Sequence, residues 1–187
     1  MQDEQTAIEI QWLQQARCGD YDAYENLYRS LAPPLRRFVR RLIGESPEVD
    51  DVVQDTLIAL YNHMDKIDPV EKLRPYVFRI ARNRCYDTLR KQGRYDQVSL
   101  DDEPTRIRVS FKSQVNRPED LAHWMLLYLD VQEAMDALPE LQRQALILFS
   151  EEDMSYAEIA QVMEVSIGTV KSRLFHAKKS LRRLLPP

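Results

Sequence analysis

Ser155-Tyr156-Ala157-Glu158-Ile159-Ala160, followed after a short gap by Val165-Ser166-Ile167-Gly168-Thr169-Val170-Lys171-Ser172-Arg173-Leu174, decides how the carboxyl-terminal third of this chain folds. Ser155 and Glu158 stand three apart before an apolar run. A hydroxyl and a carboxylate so spaced satisfy each other's orphan amides as a capping box, which predicts a short helix reaching Met163. Ser166 is the expected cap of a second helix, in which Ile167, Val170, Leu174, Ala177, Leu181 and Leu184 recur at helical spacing as the inward face. Lys171, Ser172, Phe175, His176 and Lys179 then fall on the outward face. A short helix, a tight turn and a longer helix with a basic face have the shape that enters a major groove, and the amides near Ile167 to Thr169 suit a phosphate.

Working outward, Pro139-Glu140 opens a helix through Phe149, and Leu126, Leu129, Ala134, Met135 and Leu138 offer packing residues for a domain that begins near Leu121. Before it, periodicity fades from about Gln92 to Asp120 through Gly93, Asp101-Asp102-Glu103, Pro104 and Arg117-Pro118, the composition of a linker. The amino-terminal part is periodic again. A first helix is expected over Thr6 to Arg17, ended by Gly19-Asp20. A second carries Tyr24, Leu27, Tyr28 and Leu31 and resumes as Leu35, Phe38, Val39, Leu42 and Ile43 beyond Pro33-Pro34, which are expected to interrupt or kink it. Ser46-Pro47-Glu48 reads as a capped start for a third helix with Val53, Leu57, Leu60, Tyr61 and Met64 inward and Asp51, Gln54, Asp55 and Ile58 elsewhere on its surface. Arg74-Pro75 opens a fourth, with Val77, Ile80, Ala81, Cys85, Thr88 and Leu89 inward. With 4 glycines and no sustained strand alternation, the expected fold is all-α: two small helical domains, 1–94 and 121–187, joined by a flexible linker over 95–120.

The net charge of −4 does not suit a DNA-binding protein until the charges are mapped. Lys72, Arg74, Arg79, Arg82, Arg84, Arg90, Lys91 and Arg94 oppose one acid, Asp87, and from Val165 onward there are six Lys and Arg side chains and no acid. Arg79, Arg82, Asn83, Tyr86 and Arg90 share a helix face on which an aromatic ring sits among cations, the combination that holds single-stranded nucleic acid. Between Glu45 and Glu71 the balance reverses to eight acids against Lys66, a surface that repels DNA and must face something else. Asp51 and Asp55 do not make a nuclease metal site, since no further carboxylate or histidine completes a ligand set. His63, His123 and His176 are scattered, so no catalytic constellation, metal or cofactor is expected. Cys18 and Cys85 stand far apart and are expected as two buried thiols. The start of the chain lacks a basic region followed by an apolar one, and no long apolar run occurs, so a soluble, cytoplasmic protein is expected.

These residues resemble the bacterial extracytoplasmic-function (ECF) RNA polymerase sigma factors. Asp50-Asp51-Val52-Val53-Gln54-Asp55-Thr56 is similar to the family's polymerase-binding helix in region two. Arg79-Ile80-Ala81-Arg82-Asn83-Arg84, with Asp87 and Leu89-Arg90-Lys91, is similar to the segment that melts and reads the minus-ten element. Leu138-Pro139-Glu140-Leu141-Gln142-Arg143 and the helix-turn-helix resemble region four, which reads the minus-thirty-five element.

The resemblance implies a subunit that directs promoter-specific initiation, with core polymerase (its clamp helices and flap), promoter DNA and an anti-sigma factor as partners and no small-molecule substrate. It assigns Asp51, Gln54 and Asp55 to polymerase. It assigns Lys72, Arg74, Tyr76, Arg79, Arg82, Asn83, Tyr86, Arg90 and Lys91 to the minus-ten element, with the loop from Asp65 to Leu73 capturing a flipped base. Ser166, Thr169, Lys171, Ser172, Arg173, Phe175, His176 and Lys179 fall to the minus-thirty-five element. Two departures stand out. Glu164 occupies a turn position where glycine is common and where a left-handed backbone costs about 1 kcal/mol. Glu151-Glu152-Asp153 makes the approach to the helix-turn-helix acidic, a surface for an inhibitor or activator. The alternative to the sigma factor is a stand-alone helix-turn-helix regulator, which would bind duplex DNA tightly without polymerase.

Overall fold

The structure is a computed structural model, described here for residues 2–93 and 129–185. Among these residues every regular element is helical: α1 (Gln2–Arg17), α2 (Tyr21–Ile43), α3 (Glu48–His63), two 3₁₀ turns (Met64–Lys66 and Val70–Lys72), α4 (Leu73–Lys91), a helical segment over 129–136, α5 (Glu140–Ser150), α6 (Tyr156–Met163) and α7 (Ile167–Leu184). The expected linker over 95–120 and the packing residue Leu126 lie outside the described residues.

α2 is the spine of the amino-terminal bundle and packs on α1, α3 and α4. Asp20 caps it by accepting from the Ala23 amide at 3.0 Å, and Gly44 ends it with a positive φ of 79°. Pro33 and Pro34 do not interrupt it: of the break or kink expected there, the break does not occur, and the helix runs through both prolines. Each interior proline costs about 3 kcal/mol or more. Against that, Leu27, Leu31, Leu35, Phe38 and Val39 form one fully buried stripe through the prolines, at about 1.5–3 kcal/mol for each large side chain. Phe38 meets Phe78 of α4 edge-on at the centre of this core, with ring centroids 5.3 Å apart.

α3 begins at Glu48, one residue later than the sequence suggests. Ser46 does not cap it, because its hydroxyl donates to the Glu48 carboxylate. Tyr61, Leu129 and Ile167, all expected inward, are exposed. Tyr61 instead meets Tyr24 edge-on on the outside of α2 and α3. Cys85 is buried as expected, and burial pushes its thiol up to about 12, where it is inert at neutral pH; Cys18 is exposed.

The carboxyl-terminal domain follows the sequence closely. α5, α6 and α7 pack on one another. The capping box on α6 is complete, with the Ser155 amide donating to Glu158 Oε2 at 2.8 Å and the Glu158 amide to Ser155 Oγ at 3.3 Å. Glu164 does adopt the left-handed conformation, φ 56° and ψ 44°, and closes the turn with the geometry a glycine would give. The two domains share a continuous core, and α6 lies along α4.

Candidate nucleic-acid interface

α3 turns its buried side, Val49, Val52, Val53, Thr56, Leu57 and Leu60, to the bundle and leaves Asp51, Gln54 and Asp55 exposed on the other. Asp55 Oδ2 accepts from Arg84 Nη1 of α4 at 2.9 Å, so the acidic face and the basic helix touch at their edge. Beside Gln54 lies an apolar strip that the sequence reading missed. Tyr21, Tyr28 and Ile58 are exposed there around the half-buried Tyr24, whose hydroxyl donates to the Leu57 carbonyl at 2.9 Å. The missed signal was a surplus of large apolar residues on α2 and α3 over what one core-facing stripe can bury.

α4 sorts its aromatics cleanly. Phe78 belongs to the core, while Tyr76 and Tyr86 are half-buried at the surface under cations, Arg79 lying 5.8 Å from the Tyr76 ring centre and Arg82 4.7 Å from that of Tyr86. Asn83, Arg90 and Lys91 are exposed, and Arg90 pairs with Asp87 one turn earlier. Arg74 is placed differently from the other candidates. Its guanidinium Nε donates to Glu9 Oε2 of α1 at 2.9 Å, and Glu9, itself 1% exposed, also accepts from Ser30 Oγ at 2.6 Å. Arg74 therefore ties three helices together at the bundle interior instead of standing on the basic face.

The loop between α3 and α4 is held from α1. Arg17 donates to the Met64 carbonyl through Nε at 2.9 Å and Nη2 at 2.6 Å, and Nη2 also reaches the Ile67 carbonyl. Held this way, the loop walls a concavity of about 260 Å³ lined by Lys66, Asp68, Lys72, Tyr76, Arg79 and Gln161. Lys72 and Tyr76, which the sequence assigned to one element, do meet there. Gln161 comes from α6 of the other domain and was not anticipated.

On α7, Ser166 Oγ accepts from the Thr169 amide at 3.0 Å. Lys171, Ser172, Phe175, His176 and Lys179 are exposed along one face, Phe175 at 63% and edge-on to His176. Arg173 is not on that face: it is 8% exposed and turned inward with Val170, Leu174 and Ala177, as its position one turn before Ala177 requires.

Glu151 and Glu152, expected as an open acidic surface, face the other domain. Arg41 Nη2 lies 3.0 Å from Glu151 Oε1, and Arg37 Nη2 lies 3.5 Å from Glu152 Oε1. Burial pushes the Glu152 carboxyl up to about 7, although Arg37 and Arg74 pull it down. A carboxyl raised by folding contributes stability that is complete below its ordinary value and is lost as pH rises through about 7. Glu152→Gln is therefore expected to melt increasingly above the native chain as pH rises from about 5 to about 8. A gap that is constant over that range in thermal denaturation would contradict the assignment.

No helix among the described residues is long and apolar enough to cross a membrane, and no cluster of potential metal ligands occurs among them. Sequence and structure comparisons bear on the two basic helices together. Residues 27–95 match the family model for Sigma-70 region 2, and residues 128–181 match that for Sigma-70 region 4. The chain is 34% identical over 153 residues to the ECF RNA polymerase sigma factor EcfG of Rhodopseudomonas palustris, covering 82% of this chain and 80% of that protein. It is 26% identical to SigW of Bacillus subtilis over 92% of this chain and 94% of SigW. It spans 62% of the length of SigE from Mycolicibacterium smegmatis, at 29% identity. Among solved structures, RpoE bound to the anti-sigma factor NepR from Bartonella quintana superposes with a TM-score of 0.58 at 31% identity, over 82% of this chain and 90% of that one. CnrH bound to the cytosolic domain of CnrY has the same fold, with a TM-score of 0.67 at 24% identity over 95% and 96% of the two chains.

Proposed function

Because this chain belongs to the ECF RNA polymerase sigma factors, we propose that its three exposed faces divide the work of promoter-specific initiation. Asp51, Gln54 and Asp55 on α3 dock on the clamp helices of core polymerase, with Tyr21, Tyr28 and Ile58 extending the contact as apolar anchors. Tyr76, Arg79, Arg82, Asn83, Tyr86, Arg90, Lys91 and Lys72 take the minus-ten element, stacking unpaired bases on the rings and tracking phosphates with the cations. The concavity under the α3–α4 loop is the place for a flipped base, and unpairing needs no ATP because stacking and charge contacts stabilise the open strand. Lys171, Ser172, Phe175, His176 and Lys179 read the minus-thirty-five element in the major groove, and Ser166 and Thr169 at the start of α7 offer phosphate contacts.

The observation that carries this reading is the separation of one acidic, partly apolar face from two basic ones within a single small chain. The protein would work in the cytoplasm with the polymerase, as an initiation factor without a catalytic centre of its own. An anti-sigma factor is the natural antagonist, and the same α3 face is the surface it would compete for. The domain limits we propose are 1–94 and 121–187.

Promoter-directed transcription by core polymerase with the purified chain tests the whole. Within it, Lys171→Ala or His176→Ala is expected to lose about 1–3 kcal/mol of discrimination at the upstream element while leaving polymerase binding unchanged. Equal loss of both would remove α7 from that role.

A further inference from the structure

The loop between α3 and α4 is fastened at both ends by one helix, and that helix lies before the stretch that the region 2 family model matches. At the start of the loop Arg17, the last residue of α1, holds the Met64 carbonyl through Nε at 2.9 Å and Nη2 at 2.6 Å, and Nη2 also reaches the Ile67 carbonyl. At its end Arg74 is held by Glu9, two turns earlier on α1. An arginine closing a helix ordinarily serves that helix, by bonding its last carbonyls or favouring the negative end of its dipole. Arg17 instead gives these donors to carbonyls 47 and 50 residues further along the chain. Its guanidinium is a planar fork, so gripping one carbonyl from two nitrogens sets the direction of that carbonyl as well as its distance. Ile67, whose carbonyl is held, also buries its side chain, while Lys66 and Asp68 on either side of it are exposed and share the concavity with Tyr76 and Arg79.

We propose that Arg17 is a positioning residue for promoter selectivity: without touching DNA, it sets the α3–α4 loop and so decides how sharply one base of the minus-ten element is chosen. This rests on the reading of the concavity as the place for a flipped base. Stacking on a ring such as Tyr76 accepts every base, because every base has a π-face. Choice among bases needs polar groups at the base edge, held within about 0.5 Å of a productive geometry by contacts of their own. Lys66 supplies a donor and Asp68 an acceptor there, and α1 supplies the contacts that hold their backbone. A loop released from Arg17 would keep the stacking and lose the choice.

The test uses the full chain with core polymerase and a pool of linear duplex templates randomised upstream of a fixed transcribed segment, recovered from heparin-resistant complexes and sequenced. Tyr76→Ala removes the ring on which the base would stack, and marks the captured position as the one whose preference it flattens. Arg17→Met keeps the stem of the side chain and removes its donors. It is expected to lower the preference at that same position about tenfold, the scale of one good base contact, with the other positions of both elements and the affinity for core polymerase at native values. Arg17→Gln, too short to bridge the two carbonyls, should do the same and serves if Arg17→Met folds poorly. Val49→Ala trims the core at the opposite end of α3, on the order of 20 Å from Met64. It should lower the melting temperature and leave the base profile native, which separates positioning from stability.

An Arg17→Met or Arg17→Gln chain with the native profile overturns the proposal. So does an even loss across all sequences, which would make Arg17 a phosphate contact, and so does equal flattening by Val49→Ala. A Tyr76→Ala chain that flattens no single position overturns the role of the concavity, and this proposal with it. A native chain that enriches no template overturns the initiation-factor reading beneath both.

Discussion

A chain carrying Asp51→Lys and Gln54→Ala is expected to bind core polymerase at least about 100-fold more weakly than the native protein, while its helical content and its affinity for duplex DNA stay unchanged. Both side chains are exposed on α3, whose packing is done by Val49, Val52, Val53, Thr56, Leu57 and Leu60, so the substitutions leave the core intact. The reversed charge meets a surface shaped for the opposite sign, and like-charge juxtaposition in an interface costs several kcal/mol, each 1.4 kcal/mol being about tenfold. A small loss of stability should accompany it, on the order of 0.5–1 kcal/mol, because Asp51 lies in the first turn and favours the positive end of the helix dipole. Titration of labelled chain with core polymerase, beside circular dichroism, checks both. Undiminished binding would move the docking site away from Asp51 and Gln54, with the strip of Tyr21, Tyr28 and Ile58 as the first place to look.

The largest effect on stability is expected at Glu9. Its carboxylate is sealed between Arg74 and Ser30, and removing one member of a buried pair leaves the other charge without compensation, a loss of about 3–5 kcal/mol. For a chain of this size Glu9→Ala should lower the melting temperature on the order of 10 °C. Glu9→Leu with Arg74→Met should recover most of that, since two apolar side chains of similar volume remove the charge along with its partner. A Glu9→Ala chain within a degree or two of native would show that water reaches Arg74 when the carboxylate is gone. The same pair explains why Arg74→Ala is a poor probe of DNA binding: it would act first on the fold.

Where one periodic stripe meets one core, the sequence was sufficient. The capping box at Ser155 and Glu158, the Ser166 cap and the outward face of α7 stand as read, because each is local and set by spacing alone. Arg173 was misplaced because a family motif assigns residues by likeness, whereas helical phase puts position 173 beside Val170, Leu174 and Ala177. Pro33 and Pro34 break no helix for the opposite reason: a local rule sets their cost and is silent about the burial that exceeds it. The partners of Glu9, Arg37 and Arg41 were illegible from sequence, since they join residues 65, 115 and 110 positions apart with no periodic pattern to connect them. Glu151 and Glu152 therefore looked like an open surface until the tertiary fold supplied two arginines to meet them.

The family model for region 2 starts at residue 27, yet α1 lies wholly before it. From outside that boundary α1 contributes Leu13 to the core, Glu9 to the junction of three helices and Arg17 to the carbonyls that set the shape of the loop before α4. The segment that the family model leaves out is therefore a keystone for the bundle it adjoins. Excision at residue 27 would remove the restraint that Arg17 places on the loop before α4, while every residue proposed to contact DNA remained present. In this protein the unit that can be cut or grafted as one working piece is longer than the unit that the family model matches.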